Sequence, residues 1–183
     1  MKKVLFVCLG NICRSPLAEG LAIKITQDNG VYKNVVFDSC GTGAYHVGEQ
    51  PDPRTLENAK ANGLNLNHKA RQFDKSDFRE FDYILAMDKA NLLNIKKLDQ
   101  ANAFTDKLFL MRDFDTTSKG ADVPDPYFGG SEGFQIVYDI LDRSINEFVR
   151  NITPDSYFLK SVQEVFFCFF YGIQCLPYCS SLS

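Results

Sequence analysis

Lys3-Val-Leu-Phe-Val-Cys8 is followed at once by Leu9-Gly-Asn-Ile-Cys-Arg14 and then by Ser15-Pro-Leu-Ala18. The first segment is a β-rich run without polar alternation, the composition of a strand buried on both faces of a parallel sheet. Gly10 and Asn11 break the run. Ser15 offers an N-cap and Pro16 a favourable first helical position. Leu17, Ala18, Leu21, Ala22 and Ile25 then share one helical face, which Asn29-Gly30 closes. Strand, tight loop and helix follow one another as one half of a βαβ unit.

Outward from this stretch the alternation continues. Residues 35–40 read as a second strand, and Asp52-Pro53 opens a helix that Gly63 closes. Residues 74–80 form a short helix and Tyr83 to Met87 a third strand. Asp88 caps a helix over 89–97, and Lys107 to Met111 make a fourth strand. A long loop carries Pro124, Asp125 and Pro126. The last clear helix spans about 132–150, with Phe134, Val137, Leu141, Ile145 and Phe148 on its inner face. Strand and helix alternate throughout, so the predicted fold is an α/β three-layer sandwich around a parallel sheet. Residues 1–153 are read as one domain. Residues 154–183 change character: Val165 to Ile173 is apolar on all sides and has no evident place in the sheet. This tail is read as an appendage.

A chain of 183 residues can bury a substantial core, and its 45% hydrophobic and 23% charged content is ordinary for a globular protein. A formal net charge of −3 gives no basic surface for nucleic acid, so none is expected as a partner. The apolar run after Lys3 is too short for a secretory signal. Without one, the six cysteines read as free thiols in a reducing, cytoplasmic setting rather than as a disulfide framework. Nine continuous apolar residues in the tail fall short of the about 20 that a spanning helix needs, so no transmembrane span is expected. For the tail the alternatives are packing onto the domain surface, a weak membrane-surface or lipidated-cysteine attachment, or poorly folded sequence from an unusual transcript. Cys168, Cys175 and Cys179 lack a histidine and the usual zinc spacing, and no metal or other cofactor is expected.

The bare pattern Cys-x5-Arg-Ser in Cys8 to Ser15 carries little weight by itself. Its position gives it weight, because ligands bind in open α/β sheets where a strand passes into a helix. Such a loop can curl so that successive N–H groups form an anion nest, and the following helix adds its positive end. Gly10 tolerates positive φ, and Asn11 is among the residues best suited to the left-handed region. Arg14 supplies a planar fork matched to two phosphate oxygens. Cys8, at the floor of this cradle, is expected as the thiolate and hence as a nucleophile. Asp125, held between two prolines on a loop that follows the fourth strand, can overhang the same sheet edge and serve as a general acid.

Val7-Cys-Leu-Gly-Asn-Ile-Cys-Arg-Ser-Pro16, with Phe81-Asp-Tyr-Ile-Leu-Ala-Met-Asp88 and Asp125-Pro-Tyr127 downstream, resembles the low-molecular-weight protein tyrosine phosphatase family from about residue 3 to 151. The resemblance implies a four-stranded parallel sheet flanked by helices, no metal, and a phosphocysteine intermediate. Phosphotyrosine proteins or small aryl phosphates are the implied substrates and inorganic phosphate the product. Leu9, Gly10, Asn11, Ile12, Cys13, Arg14 and Ser15 then form the phosphate loop, with Cys8, Arg14 and Asp125 as catalytic residues. Tyr45, Tyr127 and Phe128 line the pocket mouth, where aromatic walls set a depth that a short phosphoserine reaches less well. Phe128 stands where some relatives carry tyrosine. Ser15 resembles the hydroxyl that donates to the thiolate, and Ser39 and His68 the partners that hold Asn11. Cys13 resembles the residue that forms a disulfide with the nucleophile under oxidation.

Arsenate reductases share such a loop but need further cysteines to shuttle a disulfide, and none lies between Cys40 and Cys168. A phosphotyrosine-binding module without catalysis would have lost Cys8, Arg14 or Asp125, and all three are present. A docking or membrane-attached protein acting through the tail is a third class, compatible with catalysis.

Overall fold

The computed structural model describes residues 1–153, and the tail lies outside the described residues. Its centre is a four-stranded, wholly parallel sheet in the order β2-β1-β3-β4. The strands are β1 (Lys2–Cys8), β2 (Val35–Gly41), β3 (Tyr83–Ala86) and β4 (Leu108–Leu110). The helices are α1 (Arg14–Asp28), α2 (Pro53–Ala61), α3 (Asp77–Glu80), α4 (Lys89–Leu98) and α5 (Gly130–Ile152). The expected class and strand number both hold.

The alternating faces of β1 show how the core is divided. Val4, Phe6 and Cys8 join the cluster formed with α1 and α5, including Leu17, Leu21, Leu141, Ile145 and Phe148. Leu5 and Val7 join the opposite cluster with Phe73, Phe78, Phe81, Ile84 and Ile95. Val4 through Val7 are all fully buried, which is why the strand carries no polar alternation. Burying each such side chain contributes roughly 1.5–3 kcal/mol. The five inner residues expected on the last helix are all buried.

Two local expectations need correction. The first helix begins at Arg14 with Cys13 as N-cap, so Ser15 does not cap it and Pro16 is the third helical residue. The Ser15 hydroxyl is engaged by Cys8 and Asn11 instead, and proline costs little in a first turn whose N–H groups lack helical partners anyway. The helix expected over 74–80 is the single turn Asp77–Glu80. Asp52 and Asp88 do cap α2 and α4, accepting from Arg54 N and Asn91 N.

β1 lies between β2 and β3, so the chain leaves it towards one side and returns to the other. The crevice opened by this reversal sits at the carboxyl end of β1, at Cys8. The long loop before α5 is hung over the same end, where Val123 N–H donates to Met87 O at 2.8 Å.

Candidate active site

Cys8 ends β1 and is 3% exposed. The loop after it turns back through Asn11, whose φ of 55° is left-handed. Gly10 has no positive φ, so Asn11 alone carries the conformation expected of the pair. A Cβ on Gly10 would instead lie 3.0 Å from the His46 ring. Gly41 serves the loop from the adjacent strand: a Cβ there would come within 2.7 Å of Leu9 O and 3.2 Å of Asn11 N. The phosphate loop can lie against β2 because residue 41 has no side chain.

A directed hydrogen-bond network fixes the loop. Asn11 N–H donates to Cys8 Sγ at 3.2 Å. Asn11 Nδ2 donates to Ser15 Oγ at 2.9 Å and to Ser39 Oγ at 3.0 Å. Its Oδ1 accepts from Arg71 N–H at 2.9 Å and faces His68 Nε2 at 2.9 Å. The Ser39 hydroxyl donates to the Glu19 carboxylate at 2.7 Å, and His68 Nδ1 lies 3.2 Å from that carboxylate. Ser15 Oγ therefore accepts from Asn11 and keeps one proton, with Cys8 Sγ 3.0 Å and Cys40 O 3.3 Å from the oxygen. The network brings the Ser15 hydroxyl and the Asn11 N–H, a backbone donor, within hydrogen-bond reach of the sulfur.

Arg14, also buried, stands across from the sulfur. Its Nη1 donates to Asp88 Oδ2 at 2.7 Å and to Val123 O at 3.0 Å, and Nη2 to Asp125 Oδ2 at 3.3 Å. Burial opposes its charge, but the negative fields of Cys8, Asp88 and Asp125 outweigh it and hold the guanidinium pKa above its ordinary value. Asp125 is 48% exposed at the side chain, and its Oδ1 accepts from Tyr127 N–H at 3.1 Å. Pro126 to Phe128 form a 3-10 turn that presents this loop.

Cys8, Leu9, Gly10, Ile12, Cys13, Arg14, Tyr45, His46, Asp125 and Tyr127 line one pocket of about 220 Å³. Tyr45 and Tyr127, 76% and 51% exposed, stand at its rim. The side chain of Phe128 lies outside what is described. Ser39 and His68 sit behind the loop, in contact with Asn11 rather than with the pocket. Burial pushes the Cys13 thiol up to about 12, and negative charge at Asp52, Cys8 and Asp125 adds to it. Cys8, Cys13 and Cys40 are free thiols. Among the described residues no cluster of His, Cys, Asp or Glu is arranged to hold a metal ion, and no helix is long and apolar enough to cross a membrane.

The sequence reading did not select Glu19, Asp88, His46 or Arg54. Glu19 had a signal: it lies one turn after Ser15, a charge beside the apolar stripe of α1. Asp88 was read only as a helix cap, a role its Oδ1 fills while Oδ2 holds Arg14.

A cysteine at a strand switch point, wrapped by an anion-sized loop and faced by an arginine and a carboxylate, places the chain among the α/β proteins that bind phosphate on a strand–loop–helix turn. Comparison with known proteins narrows this. The family model described as low molecular weight phosphotyrosine protein phosphatase matches residues 3–157. The Schizosaccharomyces pombe protein of that name is 46% identical over 152 residues, covering 82% of this chain and 96% of the relative. The human one is 40% identical over 150 residues, covering 81% and 94%. A crystal structure of a protein tyrosine phosphatase from Entamoeba histolytica superposes with a TM-score of 0.79 at 41% identity, covering 83% of this chain and 97% of that one. A crystal structure of a Drosophila arginine phosphatase does so with a TM-score of 0.78 at 34% identity, covering 85% and 99%. The chain belongs to the low molecular weight phosphotyrosine protein phosphatase family, and is a hydrolase of that kind.

Proposed function

We propose that this enzyme hydrolyses phosphotyrosine and small aryl phosphate monoesters in two steps through a phosphocysteine. The carrying observation is that Cys8, Arg14 and Asp125 line one pocket with Tyr45 and Tyr127 at its rim. In the first step Cys8 Sγ attacks phosphorus, the P–O(aryl) bond breaks, and Asp125 gives its proton to the departing phenolate oxygen. In the second, a water attacks phosphorus while the Asp125 carboxylate takes its proton. The P–S bond breaks, inorganic phosphate leaves, and the thiolate is restored. Arg14 exchanges its contact with Asp125 for two phosphate oxygens, and the loop N–H groups take the remainder.

The aromatic rim supports a flat aryl substrate, which can stack between Tyr45 and Tyr127. Three free thiols among the described residues suit a reducing compartment, and we place the enzyme in the cytoplasm. The working domain is residues 1–153, with the tail outside it.

The test is hydrolysis of a phosphotyrosine peptide and of aryl phosphates with EDTA present, beside the Cys8→Ser protein. A phosphoarginine peptide is the comparison, given the arginine phosphatase neighbour. Phosphotyrosine turnover that survives EDTA and vanishes in Cys8→Ser is expected. A Cys8→Ser rate within tenfold of the parent rules out the nucleophile, and preference for phosphoarginine rules out the substrate class.

A further inference from the structure

We propose that Arg54 is a positioning residue that sets where Asp125 stands relative to Cys8; this rests on the reading of Asp125 as general acid. Arg54 touches neither the nucleophile nor the acid. It links the two loops that carry them.

The link starts at the phosphate loop. Asp52 N–H donates to Ile12 O at 2.8 Å, which ties the start of α2 to the loop around the pocket. The Asp52 carboxylate caps α2 and also grips Arg54 as a fork, Nε to Oδ1 at 3.0 Å and Nη2 to Oδ2 at 2.8 Å. A two-point grip of this kind fixes the guanidinium plane as well as its place. The remaining arm, Nη1, donates to Tyr127 O at 3.1 Å. The guanidinium carbon lies 4.9 Å from the centre of the Tyr127 ring and 5.0 Å from that of Phe134, at the start of α5. The N–H of Tyr127 in turn donates to Asp125 Oδ1. Both polar groups of the Tyr127 backbone are thus engaged, one by the acid and the other by Arg54. A lysine has no fork and cannot hold Asp52 at two points while reaching Tyr127 O.

Arg54 is not what holds α2 to the domain. Asn58 and Asn62 both donate to Gln135 Oε1, at 2.8 and 3.0 Å, and Ala59 is wholly buried. Removing the Arg54 side chain therefore leaves α2 attached and loosens the acid loop at Tyr127, while Val123 stays bonded to Met87 O.

The test is kcat/KM, which reports through the first P–O cleavage, for aryl phosphates whose leaving groups range from dinitrophenol to phenol. Parent, Arg54→Ala, Arg54→Lys, Asp125→Asn and the Arg54→Ala/Asp125→Asn double variant are compared, with inhibition by inorganic phosphate as the measure of an intact nucleophile loop. Misplacing an acid costs most where the leaving group most needs a proton. Arg54→Ala is expected to lower kcat/KM about 10- to 30-fold for phenyl phosphate and less than about threefold for the dinitrophenyl ester. Phosphate inhibition stays within about twofold, Arg54→Lys falls between parent and Arg54→Ala, and Arg54→Ala adds nothing in the Asp125→Asn background. Equal loss across leaving groups, a parallel weakening of phosphate inhibition, or multiplication of the two losses overturns the positioning role. A steep leaving-group dependence in Asp125→Asn beside a flat one in Arg54→Ala refutes Arg54 alone. A flat dependence in Asp125→Asn refutes the acid itself.

Discussion

Replacing Asn11 by alanine tests the loop where its conformation is most constrained. The substitution removes four side-chain contacts, to Ser15, Ser39, His68 and the Arg71 N–H. Ser15 and Ser39 lose an incoming donor, but each keeps an acceptor for its own proton. Arg71 N–H and the facing nitrogen of His68 lose the Asn11 oxygen, at about 1 kcal/mol or more each. Alanine at a φ of 55° adds about 1 kcal/mol of backbone strain that asparagine bears more easily. The total is about 3 kcal/mol, which corresponds to about 10²-fold at 1.36 kcal/mol per decade. Asn11→Gly removes the same contacts without the strain and should recover about fivefold. The assay is kcat/KM for an aryl phosphate, with inorganic phosphate inhibition weakening in parallel because one loop serves both. Asn11→Ala within threefold of the parent, or equal to Asn11→Gly, refutes the argument.

Three further outcomes concern Cys13, Asp115 and the tail. With Cys13 held near 12 by burial, its thiolate fraction rises about tenfold per pH unit through neutrality. Once peroxide has converted Cys8 to a sulfenic acid, attack by Cys13 with loss of hydroxide should accelerate about a hundredfold between pH 7 and 9, followed by mass spectrometry of quenched samples; a flat profile excludes Cys13 as the resolving thiol. Asp115 is buried between Arg112 and Arg143; burial alone would raise its pKa, but these partners and Thr117 pull it well below the ordinary carboxylate range. Its folded pKa lies below the unfolded one, so its stabilisation is complete at neutral pH and is lost as pH falls below about 4. Asp115→Asn should cost about 3 kcal/mol in urea unfolding at pH 7 and show a smaller difference between pH 7 and pH 3 than the parent. Truncation after Thr153 should leave kcat unchanged and improve solubility; a tenfold loss of kcat in a folded truncated protein would put the tail inside the working domain.

What the sequence disclosed and what it withheld divide along a physical line. β1, its loop and α1 were legible because hydrophobic runs, glycine and helical periodicity act over a few residues. Asp52 and Asp88 were legible as caps for the same reason. The helix start was misread because Ser15 has a local use, capping, and a tertiary one, beside Cys8, and the tertiary one won. Glu19, Arg54 and the second role of Asp88 were not selected because their partners are distant in sequence: Arg14 and Asp88 are 74 positions apart, and Arg54 and Tyr127 are 73 apart. Nothing in a short window marks such a pair. Positive φ was expected at Gly10 as well as at Asn11, since the two adjacent residues both suit a tight turn, and Asn11 alone adopts it.

Chain order makes β1, with Cys8, before the other three strands of the sheet, while Asp125 follows Arg14 by 111 positions. A nascent chain therefore carries its reactive sulfur long before it has an acid to work with. Until β3 lies beside β1, Met87 has no Val7 carbonyl to bond and Val123 no fixed Met87 carbonyl to hang from. Turnover therefore needs β1, β3 and the acid loop to be assembled together. Lesions far from the pocket, along β3, should therefore register as lost rate, because the carbonyl that holds the acid loop is fixed by β3 lying beside β1.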